Sequence, residues 1–537
     1  MKGNLLHTIA LWVRGLILAL LSVSLVAIFT EFAYAQVRFA KTYGGISWDV
    51  AYSVRQTSDG GYIVAGRTSS FGAGWYDIFL IKTDANGNVQ WVKTYGGLDW
   101  DWASSVQQTS DGGYILAGYT TSFGAGSSDI ILIKTDANGN IIWAKTYGGT
   151  GGDRVSSVQQ TSDGGYIVAG WTTSFGAGNE DIFLIKTDAS GNIQWARTYG
   201  GTNNDYASSV RQTSDGGYIV AGSTFSLGVG GYDIFLIKTY ANGNVQWVKV
   251  YRGTGYDEAY SVQQTSDGGY IVAGYTNSFG TGGSDIFLIK TDANGNVQWA
   301  KTYGGTGWEY GYSVQQTSDG GYIVAGMTSS FGAGSYDIIL IKTLSDGTLQ
   351  WSRTYGGTGR DEAYSVQQTS DGGYIVAGET RSFGAGSGDI FLIKTDANGN
   401  IGSCGIVRNV TPTVTTPSPT VTTFSPSVSY ISLTPGSPSP TVGFPTSTVN
   451  APCPLSDDNE LGISESCKPV SGLITPYKGG VKITKSGEFE VKVYNVSGVL
   501  VKSAKGKDEV KLELSRGVYF VEVVSGGKVI REKVVIR

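Results

Sequence analysis

A single histidine, His7, occurs in 537 residues, and it lies in a stretch that reads as a cleaved leader. The rest of the chain therefore cannot build a Ser-His-Asp or Cys-His relay, nor a histidine-ligated metal centre. Cysteine is nearly as scarce, at three residues. Cys453 and Cys467 are close enough to close a small loop in an oxidising compartment, leaving Cys404 over; three free thiols is the alternative. Charged residues reach only 15 %, but 40 % of the chain is hydrophobic, which excludes wholesale disorder. Between residues 36 and 403, 22 Lys/Arg face 32 Asp/Glu, a net charge of −10 that would repel phosphate, so nucleic acid is not an expected partner. No proline precedes Pro412, and all 12 lie between it and Pro476. Glycine is the opposite case. Its 80 residues are roughly double the usual share, but they follow no G-X-Y period, which excludes collagen.

The N-terminus carries Lys2 and Arg14 before an apolar run from Leu16 to Phe29, then Ala33-Tyr34-Ala35 ahead of Gln36. This layout predicts a secretory signal peptide over residues 1–35. The alternative is an uncleaved anchor, for which the run falls short of the roughly 20 residues a span needs. The sequence contains no other stretch of that length, so the mature chain is expected to lack a transmembrane span and to be secreted or held at the cell surface.

What fills the chain is one unit repeated. Trp91, Trp143, Trp195, Trp247, Trp299 and Trp351 stand 52 residues apart, and Asp59 to Asp371 and Asp77 to Asp389 keep the same spacing through seven copies. Units of about 40–50 residues are what four-stranded propeller blades require. In one copy the strands are Ser105 to Thr109, Tyr114 to Gly118, Asp129 to Lys134 and Ile141 to Tyr147, with Asn138-Gly139 as a tight hairpin. The middle strands are apolar on both faces, as sheets covered by neighbours on both sides require. The last unit stops after Ile401 without its fourth strand, and that strand stands at the start instead, as Val37 to Gly45 with Phe39 in the tryptophan column. Residues 36–403 are therefore expected to form an all-β, seven-bladed β-propeller closed by an N-terminal strand.

Asp84 to Trp91 resembles the Asp…Gly…Trp docking motif of quinoprotein propellers, one residue shorter between Asp and Gly. Asp59-Gly60-Gly61-Tyr62-Ile63-Val64-Ala65-Gly66 through Asn86-Gly87 resembles the bacterial delta-sixty repeat. These families share a fold without sharing an activity. Residues 404–467 form a Thr/Pro/Ser-rich linker, expected to be extended, as a plain spacer or an O-glycosylated stalk. From 468 to 537 the composition turns basic, and strand alternation returns at Phe489, Val491 and Val493, then Val510, Leu512 and Leu514. Val491 to Gly498, Arg516 to Val521 and Lys533 to Ile536 together resemble the C-terminal sorting domain of the type IX secretion system. That resemblance implies a small Ig-like β-sandwich read by an outer-membrane export machine; an ordinary β-sandwich spacer is the alternative.

Function is expected at one end of the repeats. The segment Gln-Thr-Ser-Asp-Gly-Gly-Tyr-Ile occurs in all seven copies, so the end carrying those turns is uniform, whereas the opposite end differs from copy to copy. The six tryptophans outside the leader and the periodic column (Trp48, Trp75, Trp100, Trp102, Trp171 and Trp308) all map to the variable end. With Tyr310 and Arg154 they make a candidate face for a glycan or a surface protein; packing over neighbouring loops is the alternative. The column Asp49, Asp101, Asp153, Asp205, Asp257, Glu309 and Asp361 sets seven carboxylates on the same rim. Each is expected to cap its own loop, with Ca2+ binding as the lesser reading; otherwise no cofactor is expected. A binding or adhesion module is preferred over a carbohydrate-active hydrolase or lyase using paired carboxylates, because the acids repeat in every copy whereas an enzyme site breaks symmetry.

Overall fold

A computed structural model of the chain describes residues 37–228, 230–402, 405–423, 427–430, 441–443, 448–450, 474–477, 480–495, 500–514, 517–525 and 528–536. The leader and all three cysteines lie outside the described residues. Two units separate, residues 1–456 and 457–537.

Turn chemistry sets the repeat. In sheet 1, β2 (Asp49–Gln56), β3 (Tyr62–Thr68), β4 (Asp77–Thr83) and β5 (Val89–Gly96) pair antiparallel in chain order. Gly60 and Gly87, at φ of 83° and 71°, occupy the left-handed region that the β2–β3 turn and the β4–β5 hairpin need. Asp59 locks the first turn by accepting from the Gly61 N–H at 3.0 Å and from Lys82 Nζ at 2.8 Å. Lys82 is only 4 % exposed, so the pair brings a buried ammonium to a partner at the rim. A bulge between Ala51 and Ser53 falls opposite Gly66, where any Cβ would approach the Val50 carbonyl to 1.8 Å. The other sheets repeat this plan with the same strand spacing.

The sheets are held face to face. Seven apolar clusters lie between neighbours, and one joins Ile375, Ala377, Ile390 and Leu392 of sheet 7 to Ala51, Val54 and Tyr62 of sheet 1. Two aromatics recur at each junction, a tryptophan (Phe39 at the junction closed by the N-terminal strand) and a tyrosine. Trp91 meets Tyr114 of the next sheet edge-on at 5.9 Å, and the buried Tyr95 hydroxyl donates to the Gly139 carbonyl at 2.7 Å. The N-terminal strand β1 (Phe39–Gly44) pairs with Asp389–Thr395, Phe39 opposite Lys394, and gives the seventh sheet its fourth strand.

The Thr/Pro/Ser stretch is extended, but it is paired to the repeats. Val407–Asn409, Thr413–Thr415, Thr420–Thr423, Ser427–Tyr430, Thr441–Gly443 and Thr448–Asn450 each add a fifth strand, to sheets 6, 5, 4, 3, 1 and 7 in that order. The chain thus runs backwards along the outer edges, one sheet per strand. Val407, Val414, Val421, Val428, Val442 and Val449 stand opposite Tyr355, Tyr303, Tyr251, Tyr199, Tyr95 and Tyr43. A seven-residue step along this stretch therefore matches a 52-residue step along the repeats. Gly356 N–H donates to the Ile406 carbonyl at 3.1 Å and Val410 N–H to the Ser352 carbonyl at 3.3 Å, so Val407 occupies a non-hydrogen-bonded position whose N–H points away from the sheet. Among the described residues sheet 2 alone keeps four strands. Seven residues after Val428 and seven before Val442, the sequence has Pro435.

In the second unit Ile474–Tyr477, Gly480–Asn495, Leu500–Glu513, Gly517–Ser525 and Lys528–Ile536 belong to one antiparallel sheet. The long central strand carries a bulge between Lys485 and Glu488. Phe489, Val491 and Val493 pack with Val510, Leu512 and Leu514, the alternating residues of the sequence pattern, and Ile483 and Val523 join them.

Candidate ligand-binding face

The loops after the second strands and the connections between sheets meet at one end of the repeats. Bridges such as Tyr76 to Trp100 and Ser284 to Trp308 join them, and Trp48 to Gly388 joins sheet 1 to sheet 7. All eight candidate binding residues lie at this end, in two different settings.

Five of them interlock. Arg67 lies over the Trp102 ring at 3.6 Å and over Tyr76 at 4.7 Å, and Trp102 also contacts Tyr52 at 5.2 Å and Tyr119 at 5.4 Å. Arg154 spans Tyr119 at 4.6 Å and Trp171 at 5.2 Å. Trp48 donates from Nε1 to Glu379 at 2.8 Å, and Arg381 stacks on its ring while pairing with the same carboxylate at 3.0 Å. Tyr310 meets Tyr275 edge-on at 4.5 Å. Stacked guanidinium and indole planes hold one another in place, so this region is a rigid floor.

The floor is not seven-fold symmetric. At one position of the first strands, sheets 1, 5, 6 and 7 carry Tyr52, Tyr260, Tyr312 and Tyr364, which touch one another in a chain with centroid spacings of 5.1–5.3 Å. Sheets 2 to 4 carry Ser104, Ser156 and Ser208 there. The tyrosine side also carries Glu258, Glu362 and Glu379. Glu362 accepts from Tyr364 at 2.5 Å and pairs with Arg360, whereas Glu258 accepts, among the described residues, from Tyr275 at 2.9 Å and Tyr260 at 3.3 Å. Burial pushes the Glu258 carboxyl up, against those two hydrogen bonds. Sequence reading missed Arg67, Glu258 and Glu379; the signal was their place in columns that change residue type from copy to copy.

Three tryptophans remain open: Trp75 is 72 % exposed, Trp308 50 % and Trp100 48 %. Trp100 meets Tyr76, the residue after Trp75, edge-on at 6.1 Å, placing both tryptophans at the border of sheets 1 and 2. Trp308 stands apart, at the border of sheets 5 and 6. The structure therefore offers separate aromatic patches around a fixed centre.

The carboxylate column points inward. Asp49 accepts from Gly45 N–H at 2.8 Å and Ser70 Oγ at 2.6 Å, and Asp101, Asp153, Asp257 and Asp361 repeat both contacts. Asp205 accepts from Gly201 N–H and Thr224, and Glu309 from Gly305 N–H and Thr328. All seven are at most 1 % exposed. These contacts close each loop, while the second carboxylate oxygen of Asp49, Asp101, Asp153 and Asp361 is buried with no hydrogen-bond partner among the described residues, and no group of three metal-ligating side chains occurs among the described residues.

Residues 475–537, the basic sheet at the C-terminus, match the family of secretion-system C-terminal sorting domains. The chain ends in a type IX sorting domain. A sorting domain marks the protein for secretion or the cell surface and implies contact with the secretion machinery. The chain is also similar to the regulatory protein FlaEY of Caulobacter vibrioides, 28 % identical over 210 aligned residues that cover 34 % of this chain. The match spans about a fifth (22 %) of that relative's length. No helix among the described residues is long and apolar enough to cross a membrane.

Proposed function

We propose that this is an exported binding or adhesion protein: a seven-bladed β-propeller, delivered by a signal peptide over 1–35 and an Ig-like sorting sandwich, that presents its variable end to an extracellular glycan or surface protein. Sugar rings are the preferred ligand. The observation that carries this reading is the set of exposed tryptophans, Trp75, Trp100 and Trp308, on loops fixed by paired and stacked neighbours. An indole face offers a flat apolar surface to the C–H face of a sugar, and a rigid mount lowers the ordering cost of binding. The asymmetric floor sets Arg67 against Trp102 in one region and Glu258 among tyrosines in another, which suits a ligand with a defined orientation.

The test is a glycan array probed with the full chain and with a Trp100→Ala/Trp308→Ala variant. Binding by the parent and its loss in the variant supports sugar recognition. No binding by the parent shifts the reading to a protein ligand. A second reading, a glycan-cleaving enzyme, is favoured only by Glu258, a half-buried carboxyl facing Tyr275 and Tyr260 with no cation paired to it among the described residues. Polysaccharide cleavage abolished by Glu258→Gln would establish it.

A further inference from the structure

The first strands of adjacent sheets lie side by side around a common axis, and each turns one side chain toward it from the position before the invariant Gln-Thr-Ser-Asp segment. Five sheets place glutamine there. Each uses its Oε1 in the same way: Gln367 accepts the Gln56 N–H of the neighbouring sheet at 2.7 Å, and Gln107, Gln159, Gln263 and Gln315 do the same at 2.6–2.7 Å. Each of these oxygens thus spends an acceptor site on the neighbouring sheet, and each carboxamide keeps an NH2 group with two donors.

The other two sheets carry Arg55 and Arg211, which have no acceptor and cannot make that bond. Each guanidinium donates from Nη1 to the carbonyl before it, Val54 at 2.8 Å and Val210 at 2.7 Å, and reaches a serine of the preceding sheet, Ser365 at 3.4 Å and Ser157 at 3.3 Å. Neither has a carboxylate partner among the described residues. Both line one cavity of about 140 Å³ together with Gln263, Gln315, Gln367 and Ser313. No Asp or Glu lines it. The Ser313 oxygen already accepts the Val366 N–H at 3.2 Å. Two cations thus share one narrow space lined by amide donors, and Arg55 depresses the basicity of Arg211 on top of the effect of burial. Charges of one sign are not placed together in such a space without cost unless something of opposite charge joins them.

We propose that this axial cavity is a binding site for a small oxyanion of the sulfate or phosphate type, held between the Arg55 and Arg211 guanidinium groups. Planar guanidinium forks match the paired oxygens of such ions, and the glutamine N–H groups complete the shell. The site opens outward, because Arg55 and Gln367 also border a wider space of about 590 Å³ at the end that carries the invariant turns. This is the end opposite the tryptophans, so the site is independent of the glycan reading.

The test is calorimetry and thermal unfolding of the full chain with inorganic sulfate, inorganic phosphate and galactose 6-sulfate, against chloride at matched ionic strength. An Arg55→Gln/Arg211→Gln variant installs the side chain of the other five sheets, so it is expected to fold. In the absence of oxyanion it should melt at or above the parent temperature, because two inter-sheet bonds return. Oxyanion should raise the parent melting temperature and leave the variant unmoved, and each single arginine loss should weaken binding at least ~10-fold. Binding of the inorganic ions alone makes the ligand a free ion, whereas tighter binding of the sugar sulfate makes it a group on a glycan. The proposal is overturned if no oxyanion acts beyond chloride, or if the double variant binds as the parent does.

Discussion

Single side chains matter here because each is used several times over. The Tyr147 hydroxyl donates to the Gly191 carbonyl at 2.7 Å, and the equivalent tyrosine of every other sheet does the same. Tyr147→Phe strands a buried carbonyl at one junction and should cost about 1–3 kcal/mol in urea unfolding. A much smaller loss would mean that the hydroxyl contributes packing alone. The carboxylates give the molecule an unusual response to pH. Asp59, held to about 2 against its burial by hydrogen bonds from Lys82 and Thr57, contributes stability above the ordinary carboxylate pKa that is lost as pH falls toward 2. Asp77 behaves oppositely: burial, and less so the charge of Asp101, raises it to about 6. Its ionisation opposes folding, so stability is gained as pH drops from 6 toward 4. Asp129, Asp181, Asp285, Asp337 and Asp389 are raised in the same sense, and Asp111, Asp163, Asp215 and Asp267 are lowered to about 2. Melting temperature plotted against pH should therefore peak near pH 4–5 and fall on both sides. A maximum at or above pH 7 would contradict the assignment of Asp77 and its equivalents.

At the scale of elements, a strand edge that is not covered invites association. The fourth strand of each sheet would be such an edge, and the short strands between Val407 and Asn450 cover six of them. A chain ending at residue 403 should therefore show concentration-dependent association in sedimentation experiments, while one ending at 456 stays monomeric. Equal behaviour of the two would mean that the covering strands are dispensable. The four strands of each sheet were legible in the sequence because long apolar runs, Asn-Gly hairpins and a 52-residue period all agree. The covering strands were not, since Thr413-Val414-Thr415 is too short to show alternation and sits in a proline-rich tract. Their signal was present in another form, the seven-residue spacing of Val407, Val414, Val421 and Val428. The candidate site was legible in the same uneven way. Composition located the variable end, and the exposed tryptophans are there. It could not separate Trp102, fixed under Arg67, from Trp75, because which ring is covered depends on neighbours from other sheets. Arg55 and Arg211 were visible as departures from glutamine, but only the shared axis gives those departures a meaning.

For the whole molecule, the order of the chain sets the order in which its parts can be completed. The seventh sheet needs β1 from the beginning and Asp389–Thr395 from near the end of the repeats, so the repeat unit cannot be complete until almost 400 residues are available. The outer strands follow, and the sorting domain comes last. A sorting signal in that place is presented only on a chain whose repeat unit has already been made in full, which suits export of a folded cargo. Because residues 1–456 and 457–537 form separate compact units, removal of the sorting domain should leave the repeat unit folded. We therefore expect a chain lacking residues 475–537 to show the thermal unfolding transition of the repeat unit, yet to stay in the periplasm instead of reaching the surface or medium. Cell fractionation with surface protease digestion distinguishes the outcomes. Retention of a folded protein ties delivery to the tail. Unchanged surface appearance would sever the sorting domain from the localisation of this protein, and loss of the folded repeats would show that the two units depend on one another.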